Sequence, residues 1–96
     1  MKQKKENLVK TMEEINEFII DQGFDDVIVF NDFITAFEGI TINGRAVYNY
    51  RKMVESFCEE NDCSEEEAEE YISYNTIRSL PYMGERAPII ILGLEE

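Results

Sequence analysis

Apolar residues along the first part of the chain recur with a helical period. From Glu6 to Gln22, Leu8, Val9, Met12, Ile15, Phe18 and Ile19 return to one side with charges between them, which predicts a first helix. Gly23 follows, where a helix end calls for a left-handed residue. The period then changes. Val27 to Phe30 is a short apolar, β-branched run that reads as a strand or, alternatively, as helix, and Asn31-Asp32 offers a turn after it. "FEGITI" and "RAVY" flank Asn43-Gly44, the dipeptide suited to a two-residue type I′ turn, which predicts a hairpin.

Helical spacing resumes after Asn49, a helix-capping residue. It predicts a helix from about Tyr50 to Glu59 with Met53, Val54 and Phe57 inward. Ser64 followed by Glu67 forms the sequence pattern of a capping box. The helix it opens is expected to run to about Tyr74 with Ala68, Tyr71 and Ile72 inward. Thr76 to Leu80 either continues it or makes a separate turn, and Pro81 is expected to end it. "APIIIL" then reads as a strand whose unbroken apolar character predicts burial on both faces or a central place in the sheet. The order α-β-β-(β)-α-α-β predicts an α+β fold: a small, mostly antiparallel sheet of three or four strands covered on one face by about three helices. Residues 1–6 read as a basic tail and residues 7–96 as one domain.

Composition narrows the functional classes. The chain of 96 residues is 44% hydrophobic and 31% charged, within the globular range. No apolar stretch approaches the roughly 20 residues of a membrane-spanning helix, and "MKQKKENLVK" leads into no signal-peptide core, so a cytoplasmic location is the expectation. Nine Lys and Arg oppose 21 Asp and Glu, a formal −12. Four of the lysines lie in the first ten residues, so that from residue 11 onward 20 acids face five bases. Such a surface repels nucleic acid and anionic membranes, and its natural partner is a protein with a basic surface. Cys58 and Cys63 are read as packing or surface thiols, since a zinc site would need two further ligands and the chain has no histidine.

The acids are concentrated. Glu55, Glu59, Glu60, Asp62, Glu65, Glu66, Glu67, Glu69 and Glu70 fall between residues 55 and 70 with no base among them. Helix stability accounts for only part of this run. Glu65, Glu66 and Glu67 suit a first helical turn, each by about 0.3–1 kcal/mol. Glu69 and Glu70 repel Glu65 and Glu66 one turn back by about 0.2–0.5 kcal/mol per pair. Glu59 and Glu60 sit at a helix end where the dipole favours cations. A solvated helical face is one reading. The other is mimicry of a phosphate backbone, since one continuous helix would present a charge about every 2.7 Å against about 3.4 Å along a DNA strand. The run lacks the glycine of a calcium-binding loop.

The second unusual stretch is "YNTIRSLPYMGERAPIIIL". Three positions after Ile72, Asn75 is placed near the inner face, Arg78 one turn beyond Tyr71 and Tyr74 is placed to stack on either ring, and Gly84 lets the chain reverse. This is either a helix-to-strand corner whose polar groups satisfy one another, or a pocket where Tyr74, Asn75, Arg78 and Tyr82 meet an anion or a peptide. No histidine, base-paired nucleophile, phosphate-cradling loop or metal-ligand cluster is present, so no catalytic residue, cofactor or metal is expected.

Gly44 with the "RAVYNYRKMVE" after it, and "CSEEEAEEYISYNTIRSLPYMGERAPIII", resemble a group of small proteins encoded by Firmicutes and their phages. That group carries a G-R-x-V-Y-x-Y-x-K-M segment followed by E-Y-N-T-I-R-A-L-P-Y. The likeness covers about Gly44 to Leu92; Ser79 stands where alanine is usual and Arg51 where aspartate is frequent. It implies a phage or mobile-element accessory protein and carries over no activity. With the charge, it gives the expectation of a non-catalytic acidic protein that blocks a nucleic-acid-binding host protein, such as a CRISPR effector. A self-associating assembly module and a binder of small anions are the alternatives.

Overall fold

The computed structural model describes residues 11–94. The expected basic tail, the helix start at Glu6 with Leu8 and Val9, and the closing Glu95-Glu96 lie outside the described residues. Helix α1 spans Met12–Asp21, behind Thr11, whose Oγ1 accepts from the Glu14 N–H at 3.1 Å. Its end is a Schellman motif: the Phe24 N–H donates to Ile19 O at 3.2 Å and the Gly23 N–H to Ile20 O at 2.9 Å. Ile15 and Ile19 are buried, and Phe18 meets Phe37 edge-on at 6.0 Å.

Residues Val27 to Phe30 are neither strand nor helix. Their apolar side chains are satisfied by burial instead of by a ladder: Phe30 enters the core, Val27 and Val29 pack against it, and the Phe30 N–H donates to Tyr48 Oη at 3.0 Å. Phe33 then turns the chain with a left-handed backbone (φ 61°), and one 3₁₀ turn, Ile34–Ala36, leads into the sheet.

Strands β1 (Phe37–Ile40) and β2 (Ala46–Asn49) form the expected antiparallel hairpin, with a bulge between Phe37 and Gly39. Its loop differs from the type I′ expectation. The Thr41 N–H donates to Arg45 O at 2.8 Å and the Gly44 N–H to Thr41 O at 3.0 Å, enclosing Ile42, Asn43 and Gly44. Of these three only Gly44 has positive φ (+89°), so the loop is a type I turn closed by a glycine bulge. The Thr41 hydroxyl selects it, accepting from the Arg45 N–H at 2.9 Å and donating to Asn43 Oδ1.

Helix α2 (Tyr50–Asn61) follows directly, capped by Asn49, whose Oδ1 accepts from the Lys52 N–H at 3.0 Å. Helix α3 (Glu65–Tyr71) opens with both arms of the predicted capping box between Ser64 and Glu67. Strand β3 (Ile89–Ile91) pairs with β2 in parallel, giving the order β1-β2-β3. The α+β class holds, with three helices and three strands among the described residues. The sheet is mixed, because two helices and a further turn-rich segment separate β2 from β3 and allow the crossover that parallel neighbours require. It follows that β3, for which burial on both faces or a central place is expected, is an edge with Ile91 exposed; β2 is the central strand.

The core lies on one face of the sheet. Ala46 and Tyr48 of β2 meet Phe30, Phe33, Ala36, Met53, Val54, Ala68 and Ile72, all buried. Tyr48 is fully buried, with its ring 4.6 Å from that of Phe30 and 5.7 Å from that of Phe37. Burial pushes its hydroxyl pKa above 10.0, opposed by the Phe30 hydrogen bond and assisted by Asp32.

Replacing Tyr48 with Phe leaves the buried Phe30 N–H without a partner and is expected to cost about 1–3 kcal/mol in denaturant unfolding. Alkaline titration provides a second check. Once the pH passes about 10, the unfolded chain loses a proton that folded Tyr48 retains, so stability is undiminished below that pH and falls above it. The Tyr48→Phe variant should show a shallower fall.

Candidate functional site

All nine carboxylates of the acidic run are exposed, and none makes an ion pair among the described residues. They do not lie on one continuous helix. Helix α2 ends at Asn61, Asp62 adopts a left-handed conformation (φ 53°), and α3 begins at Glu65, so the even charge spacing of a single helix does not apply. The break divides the run. Glu55 and Glu59 border a cleft of about 300 Å³ with Thr35 and Lys52. Glu55 also lines a cleft of about 480 Å³ with Glu38, Asn49, Lys52, Ile91, Gly93 and Leu94, beside the 3.1 Å Lys52–Glu38 ion pair.

Glu67 and Glu70 face elsewhere. With Tyr71, Tyr74 and Asn75 they line an open cleft of about 420 Å³ along α3. Residues 67, 70, 71 and 74 follow one another at three- and four-residue intervals, which places them on one helical face. The acidic run and the unusual stretch after it therefore share one surface. Taking the two motifs apart hides this, although the spacing implies it.

The helix changes form beneath this face. Beyond Tyr71 it widens into a π turn over Ile72–Thr76, then tightens into a 3₁₀ segment, Ile77–Arg86. A π turn holds more residues than an α turn. Thr76, four positions after Ile72, consequently returns to the interior, while Asn75 falls short of it. Asn75, expected near the inner face, is exposed and donates from Nδ2 to Tyr71 O at 3.1 Å. Tyr71, also expected inward, is 42% exposed and stacks on Phe57 at 4.4 Å. Ser79 donates to Thr76 O at 2.7 Å. Pro81 does not end the helical segment: its fixed φ suits the 3₁₀ turn, and the chain breaks instead at Gly84.

The four corner residues are only partly brought together. The Arg78 guanidinium lies 5.3 Å from the centroid of the Tyr74 ring, and Asn75 borders the same cleft as Tyr74. Tyr82 is 90% exposed and makes no hydrogen bond or ring contact among the described residues. The cleft at Tyr74 is walled by Glu67 and Glu70, which suits a cation better than an anion. Cys58 and Cys63 pack half-buried against the core; burial, the adjoining Cys63 thiol, then Glu65 and Glu59 raise the Cys58 pKa. Among the described residues no group of three or more Cys, Asp or Glu could hold a metal ion, and no helix is long and apolar enough to cross a membrane.

No family model, curated protein or solved structure matches the chain.

Gly84 has φ 81° and ψ −161°, a region open essentially to glycine alone, with nothing within 4 Å of the position a Cβ would take. Gly84→Ala is therefore expected to lose about 1–3 kcal/mol in denaturant unfolding through backbone strain without any steric clash. A loss of less than about 0.5 kcal/mol would show that the corner turns by another route.

Proposed function

We propose that this protein is a non-catalytic binding module whose α3 face receives a basic segment of a protein partner. The observation that carries the reading is the cleft of Glu67, Glu70, Tyr71, Tyr74 and Asn75, where carboxylates without ion-pair partners among the described residues adjoin exposed tyrosine rings. Carboxylates attract Lys and Arg from a distance, and tyrosine faces accept them on arrival. Each exposed ion pair contributes about 0.2–1 kcal/mol and each exposed cation–π contact about 0.5–1 kcal/mol. The remaining acids of the run add steering and repel polyanions.

Basic grooves that fit such a face are commonest on proteins that handle nucleic acid. Occupying one would compete with its polyanion, which gives the module an inhibitory action. The resemblance of its second half to small phage-encoded proteins supports an accessory role of this kind, with a defence nuclease such as a CRISPR effector as the class of target.

The tagged protein, exposed to bacterial lysate, should retain a basic nucleic-acid-binding protein at low salt and release it at high salt. The purified partner should then bind the Glu67→Gln, Glu70→Gln, Tyr74→Ala variant about tenfold more weakly by calorimetry. Glutamine at 67 keeps an acceptor for the capping box, so the fold is retained. A Glu55→Gln, Glu59→Gln variant should bind nearly as well as the parent. Equal losses in both variants would reduce the effect to net charge, and a salt-indifferent partner would overturn the reading.

A further inference from the structure

The geometry points to β3 as a pairing edge whose occupant is a second copy of this chain, joined antiparallel about a two-fold axis near Ile90. Two three-stranded sheets then become one of six. This inference is independent of the α3 face and of what binds there.

The two edges of the sheet differ. The β1 edge is interrupted by the bulge at Phe37/Gly39, carries the Glu38–Lys52 ion pair, and has Phe18 of α1 against Phe37. Bulges, charges and covering elements are the features that keep a strand edge from recruiting another. Strand β3 pairs with β2 without a bulge and holds no charged residue. Beyond its ladder with β2, residues Ile89 to Leu94 make no backbone hydrogen bond among the described residues. The outward N–H and C=O groups of β3 therefore specify the kind of occupant: only another extended backbone pairs with them in series.

Charge specifies which strand. The chain carries −12, yet no charged residue occurs from Ala87 to Leu94. Ile91 is 38% exposed, Leu92 81% and Leu94 fully exposed. Glu38, Lys52 and Glu55 border Ile91 and Leu94 across the cleft beside the strand, but the strand itself is neutral and apolar, so a neutral apolar strand fits it, and this chain presents one. Antiparallel pairing about Ile90 sets Ile91 opposite Ile89 of the second copy, and Leu92 opposite Pro88. Between Pro88 and Leu92 no carboxylate meets another in that pairing. Pro88, lacking an N–H, stands just before the strand, where proline is tolerated. A two-fold arrangement makes the contact self-complementary and closed, so association stops at the dimer.

The two acidic bodies still repel at long range. Salt should therefore strengthen this association, because the Debye length falls from about 10 Å at 0.1 M to about 3 Å at 1 M. That is opposite in sign to the salt dependence expected of a basic partner on α3, so the two readings fail separately.

The test is sedimentation velocity on the full chain across concentration at low and high salt. Leu92→Lys and Ile91→Lys are compared with Ile42→Lys, a fully exposed position on the hairpin loop. The expected result is a species of twice the chain mass that is promoted by salt. Its dissociation constant should rise about tenfold or more in the two edge variants and stay unchanged in Ile42→Lys. Circular dichroism establishes that each variant is folded, and amide exchange in the parent should slow about tenfold at Ile89–Leu92 as the dimer forms. A monomer persisting to about 1 mM at high salt would overturn the inference. So would a dimer that tolerates lysine at both edge positions.

Discussion

The hydrogen bond from the Phe30 N–H to Tyr48 Oη, 3.0 Å long and buried, is the constraint on which the rest of the fold rests. Tyr48 lies in the central strand and is fully buried, so its hydroxyl is available only to a group brought to it inside the core. Phe30 belongs to a segment with no ladder of its own. One side-chain acceptor thus satisfies a backbone donor that a fourth strand would otherwise have taken, and it holds the Phe30 and Phe33 rings over the sheet. Met53 and Val54 of α2 and Ala68 and Ile72 of α3 pack into the same cluster, so the acidic helices are held through it.

Above that core, each helix end is fixed by short-range chemistry. Asn49 starts α2 at the last residue of β2, and Asp62 ends it in a left-handed turn that aspartate tolerates. Ser64 and Glu67 start α3 two residues later. These caps set the angle between two charged helices and divide the acids into groups that face different clefts. Energetically the division is uneven. Acids in the first turn of α3 gain from its dipole, while Glu59 and Glu60 near the end of α2 oppose theirs. Stability alone accounts for the first group and not for the second.

The legible parts of the sequence were those decided within four residues. Asn49, the Ser64–Glu67 box, the helix end at Gly23 and the chain reversal at Gly84 are side-chain-to-backbone or dihedral effects, and they stand in the structure as the sequence implies. The parts that were not legible depend on distant partners. Val27 to Phe30 has strand composition, but its fate was decided by a hydroxyl 18 residues away. The exchange of Asn75 for Thr76 at the inner face needed a π turn, which no local propensity announces. Asn43-Gly44 suggested one turn type and Thr41 imposed another through its hydroxyl. The place of β3 at an edge followed from the crossover, not from its own three isoleucines.

Those isoleucines pose the remaining physical question: why an edge strand should be as apolar as a central one. Ile90 pairs in register with Tyr48 and packs against the core, which accounts for one side chain. Nothing in the described interior requires Ile91, Leu92 or Leu94, all exposed. Meanwhile the approach to β3 is firmly anchored. Arg45 donates from Nε to Ala87 O at 2.9 Å, and Arg86 pairs with Asp26 at 3.1 Å, so the hairpin and the loop after α1 both hold the entry to the strand. Two of the five bases beyond residue 10 are committed to this anchoring, while the nine carboxylates of the run have no ion-pair partner among the described residues. Charge is thereby segregated by element, with acids on the helices and a neutral strand at the open edge. A protein that needed only solubility would gain by placing a lysine on that edge, where it would both blunt pairing and reduce the net charge. Its absence is the feature that solubility leaves unexplained and that strand pairing accounts for.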